Sequence, residues 1–177
     1  MRNRIRKQTK YLTVSAMLAA LGVVLLSLGA MVEVLDISVA VLASLLTVYA
    51  VIEVGGAYPW LIWLVTSVLS LLLLPQKTPA LFYACFAGFY PILKEKLERR
   101  RRLILYLIKL AVFHLCLGVM VAVMYLFIPD LLRIGEAAWL PIALYVACVA
   151  CFILYDFALT KIITYYLVRL RHRFQIK

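Results

Sequence analysis

The feature that most constrains this chain is its alternation of long uncharged runs with short charged stretches. Six uncharged runs contain, in chain order, 22, 16, 23, 16, 20 and 19 residues. An α-helix needs about 20 residues, within a range of about 17–25, to cross the hydrocarbon core of a bilayer. The pattern therefore predicts six spans, at approximately 11–32, 37–54, 58–75, 79–93, 103–128 and 137–167. The two runs of 16 residues are marginal, so four spans are the alternative.

Composition argues against an ordinary soluble domain. Of the 177 residues, 67% are hydrophobic and 15% are charged, whereas soluble domains carry about 25% charged residues. A single core of this size cannot bury so much apolar surface, but lipid can cover it. We therefore predict an all-α fold, in which residues 1–177 form one polytopic transmembrane helical bundle.

The basic side chains are concentrated in three clusters. The clusters are Arg2, Arg4, Arg6, Lys7 and Lys10; Lys94, Lys96 and Arg99 to Arg102; and Lys161, Arg169, Arg171, Arg173 and Lys177. With six spans, or with four, all three clusters fall on one side, which the positive-inside rule identifies as cytoplasmic. Both termini and a basic loop at 94–102 are therefore predicted in the cytoplasm. The net charge of +11 could suggest a nucleic-acid partner, but the clustering predicts none, because nucleic-acid-binding modules spread basic residues over a folded polar face.

Four ionisable side chains fall inside the predicted spans, where such groups are costly and often functional. They are Glu53, Lys109, His114 and Asp156. Lys109 and Asp156 are expected at similar depth in spans five and six, so one interpretation is an ion pair, with Thr160 one turn from Asp156. The alternative is that both side chains extend to the cytoplasmic interface. His114 is expected to bond to a neighbouring helix, and a proton relay or a ligand contact is the alternative.

Catalytic and metal-binding patterns are absent from the sequence. It contains no GxSxG, HExxH or Walker A motif, and His114 has no His, Asp or Glu three or four residues away. Cys148 and Cys151 form a C-x-x-C, but in an apolar helix small residues at a packing face are the favoured explanation. We therefore predict that the chain is not an enzyme and holds no metal or cofactor.

The first span carries the most informative pattern. Residues 12–25 are LTVSAMLAALGVVL, in which Ala16 and Ala20 lie four residues apart on one helix face. Small residues at this spacing allow another helix to approach closely. Together with the basic N-terminus, the six spans and the basic loop after span four, this sequence resembles the S components of energy-coupling-factor (ECF) transporters. Those proteins are the substrate-binding membrane subunits of prokaryotic importers of vitamins and other micronutrients.

The resemblance implies a location, partners and a site. The chain would be a multi-pass protein of the prokaryotic plasma membrane, surrounded by membrane lipids. Ala16 and Ala20 would dock onto a transmembrane coupling protein that carries ATPase subunits. A small-molecule ligand would enter a pocket that opens outward, with Tyr83, Tyr125, Trp139 and Tyr145 as its candidate residues. The sequence departs from the family in the few polar groups that it offers there.

Two other functions are compatible with the same pattern. One is a non-catalytic scaffold, such as a membrane subunit for cell shape or complex assembly. The other, which the sequence favours least, is a small membrane enzyme. Glu53, Lys109, His114 and Asp156 would have to converge in one wet cavity for the enzyme interpretation to hold.

Overall fold

A computed structural model of the protein describes residues 2–32, 35–97, 102–127 and 140–170. Every regular element within these ranges is a helix, which confirms the all-α prediction for this part of the chain. The chain divides into two compact units, Met1–Leu110 and Ala111–Lys177. That all 177 residues form one domain stays a prediction.

Seven α-helices and two π-helical turns make up the described residues. They are α1 (Arg2–Met31), α2 (Asp36–Glu53), α3 (Tyr58–Leu73), α4 (Thr78–Phe82), a first π-helical turn (Tyr83–Ala87), α5 (Tyr90–Leu97), α6 (Arg102–Phe127), α7 (Leu140–Tyr165) and a second π-helical turn (Tyr166–Leu170). The segment expected as the loop 94–102 begins with helix, since α5 continues to Leu97. Lys94 and Lys96 lie in its last turn, where cations interact favourably with the helix dipole.

Helix α1 packs through a face of small residues. Its buried positions include Ser15, Ala19, Gly22, Leu26 and Gly29, which are three or four residues apart. A Cβ atom placed on Gly22 would lie 3.0 Å from Thr66 Cγ2, and one on Gly29 would lie 3.0 Å from Val39 Cβ. These two glycines therefore allow α1 to approach α3 and α2 closely, as small residues do at membrane helix contacts.

Helix α2 is central to the first unit, where it packs against α1, α3, α4, α5 and the first π-helical turn. Most of its buried residues are small or carry hydroxyls, namely Ala40, Ala43, Ser44, Thr47 and Ala50, and the others are Asp36 and Val48. The turn into α3 uses Gly55 and Gly56 at φ values of 65° and 63°. Only glycine adopts this left-handed conformation at little cost, so the Gly-Gly pair permits the short connection.

The far end of α3 is capped by a lysine. The Lys77 ammonium group donates hydrogen bonds to the carbonyl oxygens of Leu71 at 2.7 Å and Leu74 at 2.6 Å. Carbonyls at the end of a helix have no partner within the helix, so this side chain supplies it.

Three described helices are long and apolar enough to cross a membrane. They are Gln8–Met31, Asp36–Glu53 and Ile142–Arg169, and two shorter apolar helices, Tyr58–Leu73 and Ile108–Val123, accompany them. The length and apolarity of these three helices support association with a membrane. Six spans and cytoplasmic termini stay predictions.

Candidate functional site

A buried hydroxyl node lies at the centre of the first unit. The Tyr83 hydroxyl, in the first π-helical turn, is 2.9 Å from Thr47 Oγ1 of α2. The Thr66 hydroxyl of α3 is a second hydrogen-bonding neighbour of Tyr83, and it donates to the Ala19 carbonyl of α1 at 3.4 Å. These bonds connect four helical segments around one tyrosine, which is itself only 1% exposed. We call Thr47, Thr66 and Tyr83 the hydroxyl node.

Two further hydroxyls on α3 extend this polar region. Ser67 is 6% and Ser70 is 0% exposed. Their Oγ atoms have no hydrogen-bond partner among the described residues. A buried hydroxyl without a partner costs about 1–3 kcal/mol. Ser70 lies one turn from Thr66, so these two residues share a face of α3. The polar region thus has unused hydrogen-bonding capacity, inside a unit whose buried charged side chains, such as Asp36 and Lys94, each have an interaction partner.

The first π-helical turn shapes this region. Its wider ring brings the Gly88 N–H to the Tyr83 carbonyl at 2.8 Å, and the Trp63 indole N–H donates to the Ala84 carbonyl at 3.0 Å. A Cβ on Gly88 would lie 2.7 Å from both Trp63 Cδ1 and Tyr83 Cζ. Gly88 is therefore the residue that lets both rings pack here. Single π-helical turns occur frequently at functional sites.

The second unit brings together two of the residues singled out in the sequence. His114 Nε2 of α6 is 2.7 Å from the Tyr145 hydroxyl of α7. Beside this bond, the rings of Phe113 and Phe152 stack with their centroids 4.6 Å apart. The expected bond from His114 to a neighbouring helix is thus present. Both members of the pair are exposed.

The small residues of span one lie on two faces. Ala16 and Ala20 are exposed, whereas Ser15 and Ala19 are buried against the bundle. The face of α1 that packs inside the first unit contains Ser15 and Ala19, and it lies next to the face of Ala16 and Ala20 that the sequence pattern indicated. Ala16 and Ala20 remain available to lipid or to another protein.

The remaining predicted residues are spread through the chain. Glu53 is the last residue of α2, and Lys109 is buried in α6. Asp156 is half-buried in α7, where Thr160 donates to its backbone carbonyl at 2.8 Å. Lys109 and Asp156 belong to different units, so their ion pair stays a prediction. Trp139 and the side chain of Tyr125 lie outside the described residues.

The side chains that could ligate a metal are scattered in the described part of the chain. Among the described residues, no three His, Cys, Asp or Glu side chains group closely enough to hold a metal ion. None of the four cysteines, Cys85, Cys116, Cys148 and Cys151, forms a disulfide bond. Cys148 and Cys151 are exposed, and so they do not occupy a packing face of the described structure.

The resemblance named Tyr83 as a candidate pocket residue, which stays a prediction, and the sequence analysis did not single out the residues that bond to it. Thr47, Thr66, Ser67 and Ser70 were passed over because single hydroxyl residues are common in membrane helices, where they bond to their own helix. The signal that was present is the spacing of Thr66 and Ser70, four residues apart in an apolar helix. Nothing in the sequence alone indicated that Tyr83 would reach both α2 and α3.

Comparison with known proteins adds no assignment. No family model matches the chain, and no curated protein or solved structure matches it significantly. The resemblance to ECF S components therefore continues to depend on the pattern of span one.

Proposed function

We propose that this chain is the substrate-binding membrane subunit of a prokaryotic ATP-driven importer for a small micronutrient. In this proposal it crosses the plasma membrane six times with both termini in the cytoplasm, and separate subunits hydrolyse the ATP. The observation that carries the proposal is the pair of buried, unpartnered hydroxyls of α3, Ser67 and Ser70, of which Ser70 lies one helical turn from Thr66 of the hydroxyl node. Hydrogen-bonding groups held in an apolar interior are the usual equipment of a small-molecule site.

The chemistry of the region defines the class of ligand. Its polar groups, contributed by Ser67, Ser70, Thr47, Thr66 and Tyr83, are neutral hydroxyls. A charged molecule would need a counter-charge at this depth, since an unpaired buried charge is very costly. The expected ligand is therefore small, uncharged and mostly apolar, with one or two atoms that hydrogen-bond to serine.

Ligand binding is tested with the purified full chain. Uncharged micronutrients are screened by thermal unfolding, and the best is titrated against Ser67→Ala, Ser70→Ala and the control Ser27→Ala. The Ser27 hydroxyl already bonds to the Val24 carbonyl at 2.7 Å, so this control removes a satisfied group. We expect each core variant to bind about 3- to 10-fold more weakly, since a hydrogen bond contributes about 0.5–1.5 kcal/mol. If no compound stabilises the wild type, or the three variants behave alike, this site is wrong.

Partner docking is tested on the exposed face of α1. We expect Ala16→Leu and Ala20→Leu to fold normally but to lose co-purification of a coupling protein and its ATPases from native membranes. The matched variant Ala19→Leu should instead disrupt folding, because Ala19 is buried beside Ala50 and Ile62 and overpacking a core is destabilising. Wild-type membranes that yield no ATPase partner would contradict the transport proposal.

The topology is tested separately. Reporter domains fused after Gln76 and after Lys177 should be active on opposite sides of the membrane. The C-terminal fusion is expected in the cytoplasm, where the basic clusters are predicted to lie. Both fusions reporting the same side would exclude the six-span arrangement.

One observation favours a second candidate, the non-catalytic scaffold subunit. Tyr83 is fully buried, and its hydroxyl bonds to Thr47. A tyrosine used in this way stabilises the bundle without any ligand. A scaffold predicts co-purification of wall-synthesis or cytoskeletal proteins in place of ATPases, and no ligand-induced change in thermal unfolding.

A further inference from the structure

Three aromatic rings cluster where α3 begins. The Trp60 and Trp63 rings are 5.9 Å apart, and the Phe89 ring lies 5.6 Å from Trp60 and 5.8 Å from Trp63. All three side chains are half-buried. They combine an apolar body with partial exposure, which is typical of aromatic residues at a membrane–water interface.

A lysine covers this cluster. Lys96, in the last turn of α5, is exposed and places its ammonium group 5.2 Å from the centre of the Trp60 ring. We call Trp60, Trp63, Phe89 and Lys96 the aromatic end patch. The sequence of residues 94–102 carries six basic and two acidic side chains, and Lys94 and Lys96 lie in the last turn of α5.

A second contact brings more positive charge to the same end of the unit. The Tyr11 ring of α1 is 5.9 Å from the Tyr58 ring at the start of α3. The exposed Lys10 precedes Tyr11 directly. Lys10 of α1 and Lys96 of α5 thus both belong to helices that contact the first residues of α3 through aromatic rings or a lysine.

The two tryptophans of the patch differ in their hydrogen bonds. The Trp63 indole N–H donates to the Ala84 carbonyl and so stabilises the fold. The indole N–H of Trp60 has no acceptor among the described residues, although its ring lies beneath a lysine. The Trp60 indole N–H and the Lys96 ammonium group can both bind an anion, and the aromatic rings beside them can contact an apolar part of the same molecule.

We propose that the aromatic end patch binds the headgroup of an anionic phospholipid. The Lys96 ammonium group and the Trp60 indole N–H contact the phosphate, while the three rings lie against the start of the acyl chains. Charge complementarity favours an anionic lipid over a zwitterionic one, and each basic residue near the surface adds about 1 kcal/mol. The rings favour a lipid over free phosphate, since phosphate alone gains nothing from an apolar surface. The inference requires residues 2–97 to lie in a membrane but not that the chain transports anything.

Native mass spectrometry of the detergent-solubilised full chain tests this site, without any transport ligand. Phosphatidylglycerol and phosphatidylcholine with identical acyl chains are added in turn, and the fraction of protein that retains lipid is measured. We expect preferential retention of phosphatidylglycerol and about fivefold weaker binding in Lys96→Ala. Lys96→Arg should retain binding because it keeps the charge, and Trp60→Phe should weaken binding because it removes the N–H donor.

The chain offers a matched control in Lys161. This lysine is also exposed and also lies over a ring, 5.3 Å from the centre of Phe157. Among the described residues, Phe157 forms no ring pair of the kind that joins Trp60, Trp63 and Phe89. Lys161→Ala removes the same charge and should leave lipid retention unchanged. Equal losses in Lys96→Ala and Lys161→Ala would show only diffuse attraction and overturn the site. Equal retention of both lipids, or displacement of the lipid by inorganic phosphate, would also overturn it.

Discussion

Helices α2 and α7 are both long and apolar enough to cross a membrane, yet they differ in how much protein surrounds them. In their most apolar stretches, 39% of the α2 residues but only 11% of the α7 residues are buried. The buried face of α2 consists of small and hydroxyl residues such as Ala43, Ser44 and Thr47. Large apolar side chains of α7, including Leu154 and Phe157, are exposed.

This contrast shows that apolarity alone does not assign neighbours to a membrane helix. Lipid tails are as apolar as leucine, so large side chains gain little by leaving lipid for protein. Small residues allow the backbones of neighbouring helices to approach each other, as Ala43 does in α2. Hydroxyls can form hydrogen bonds between helices, as Thr47 of α2 does with Tyr83. Matched substitutions in the two units test whether they differ in packing as their burial indicates.

The largest difference is expected for leucine truncation. Leu26 is 0% exposed and Leu154 is 67% exposed. Leu26→Ala should lower the free energy of unfolding by about 2–5 kcal/mol, because it leaves a cavity among packed side chains. Leu154→Ala should change it by no more than about 0.5 kcal/mol. Unfolding in detergent, followed by far-ultraviolet circular dichroism, measures both, and equal losses would contradict the contrast.

Glycine substitution should give opposite signs in the two units. Gly88→Ala places a methyl group 2.7 Å from Trp63 and Tyr83, and such overpacking costs about 1–3 kcal/mol. Around Gly118 in α6, a Cβ would have no atom within 4 Å. Gly118→Ala should therefore raise the free energy of unfolding by up to about 1 kcal/mol, through helix propensity alone. The same unfolding assay measures both, and destabilisation by Gly118→Ala would mean that the second unit is more tightly packed than its exposure indicates.

The smallest difference is expected for tyrosine hydroxyls. Tyr83→Phe removes the buried bond to Thr47, and bonds of this kind between membrane helices contribute about 0.6 kcal/mol on average and about 1.7 at most. Tyr145→Phe removes the bond to His114, but both of its members are exposed, so the loss should stay within about 0.5 kcal/mol. Because these effects are small, chemical denaturation of the two variants in parallel is the suitable measurement. If Tyr145→Phe lowers the free energy of unfolding by more than about 0.5 kcal/mol, the His114–Tyr145 pair is more buried than the described structure shows.

The sequence predicted the helices well because the physics that sets them is local. Five of the six predicted ranges overlap one described α-helix: α2 covers Asp36–Glu53 where 37–54 was expected, and α3 covers Tyr58–Leu73 where 58–75 was expected. The range 79–93 is instead divided among α4, the first π-helical turn and α5. Charges, Gly-Gly and proline mark such boundaries in the chain itself. Whether each of these helices crosses the membrane stays a prediction.

The candidate site was harder to predict because it depends on contacts between distant segments. Thr47 and Tyr83 are 36 residues apart, and neither differs in its own sequence context from an ordinary core residue. The π-helical turn that directs Tyr83 inward has no sequence marker that we recognised, although Gly88 directly follows it. For Ala16 and Ala20 the pattern gave the spacing of small residues but could not distinguish their face from that of Ser15 and Ala19.

The two left-handed glycines between α2 and α3 have a consequence for biogenesis. Residues 54–57 connect Glu53 to Tyr58, and four extended residues reach at most about 14 Å. Helix α3 has 16 residues, so it is about 24 Å long and shorter than a hydrocarbon core of about 30 Å. A short helix held this closely to its predecessor is poorly suited to enter the bilayer alone. We therefore expect α2 and α3 to leave the insertion machinery together, as a preformed hairpin.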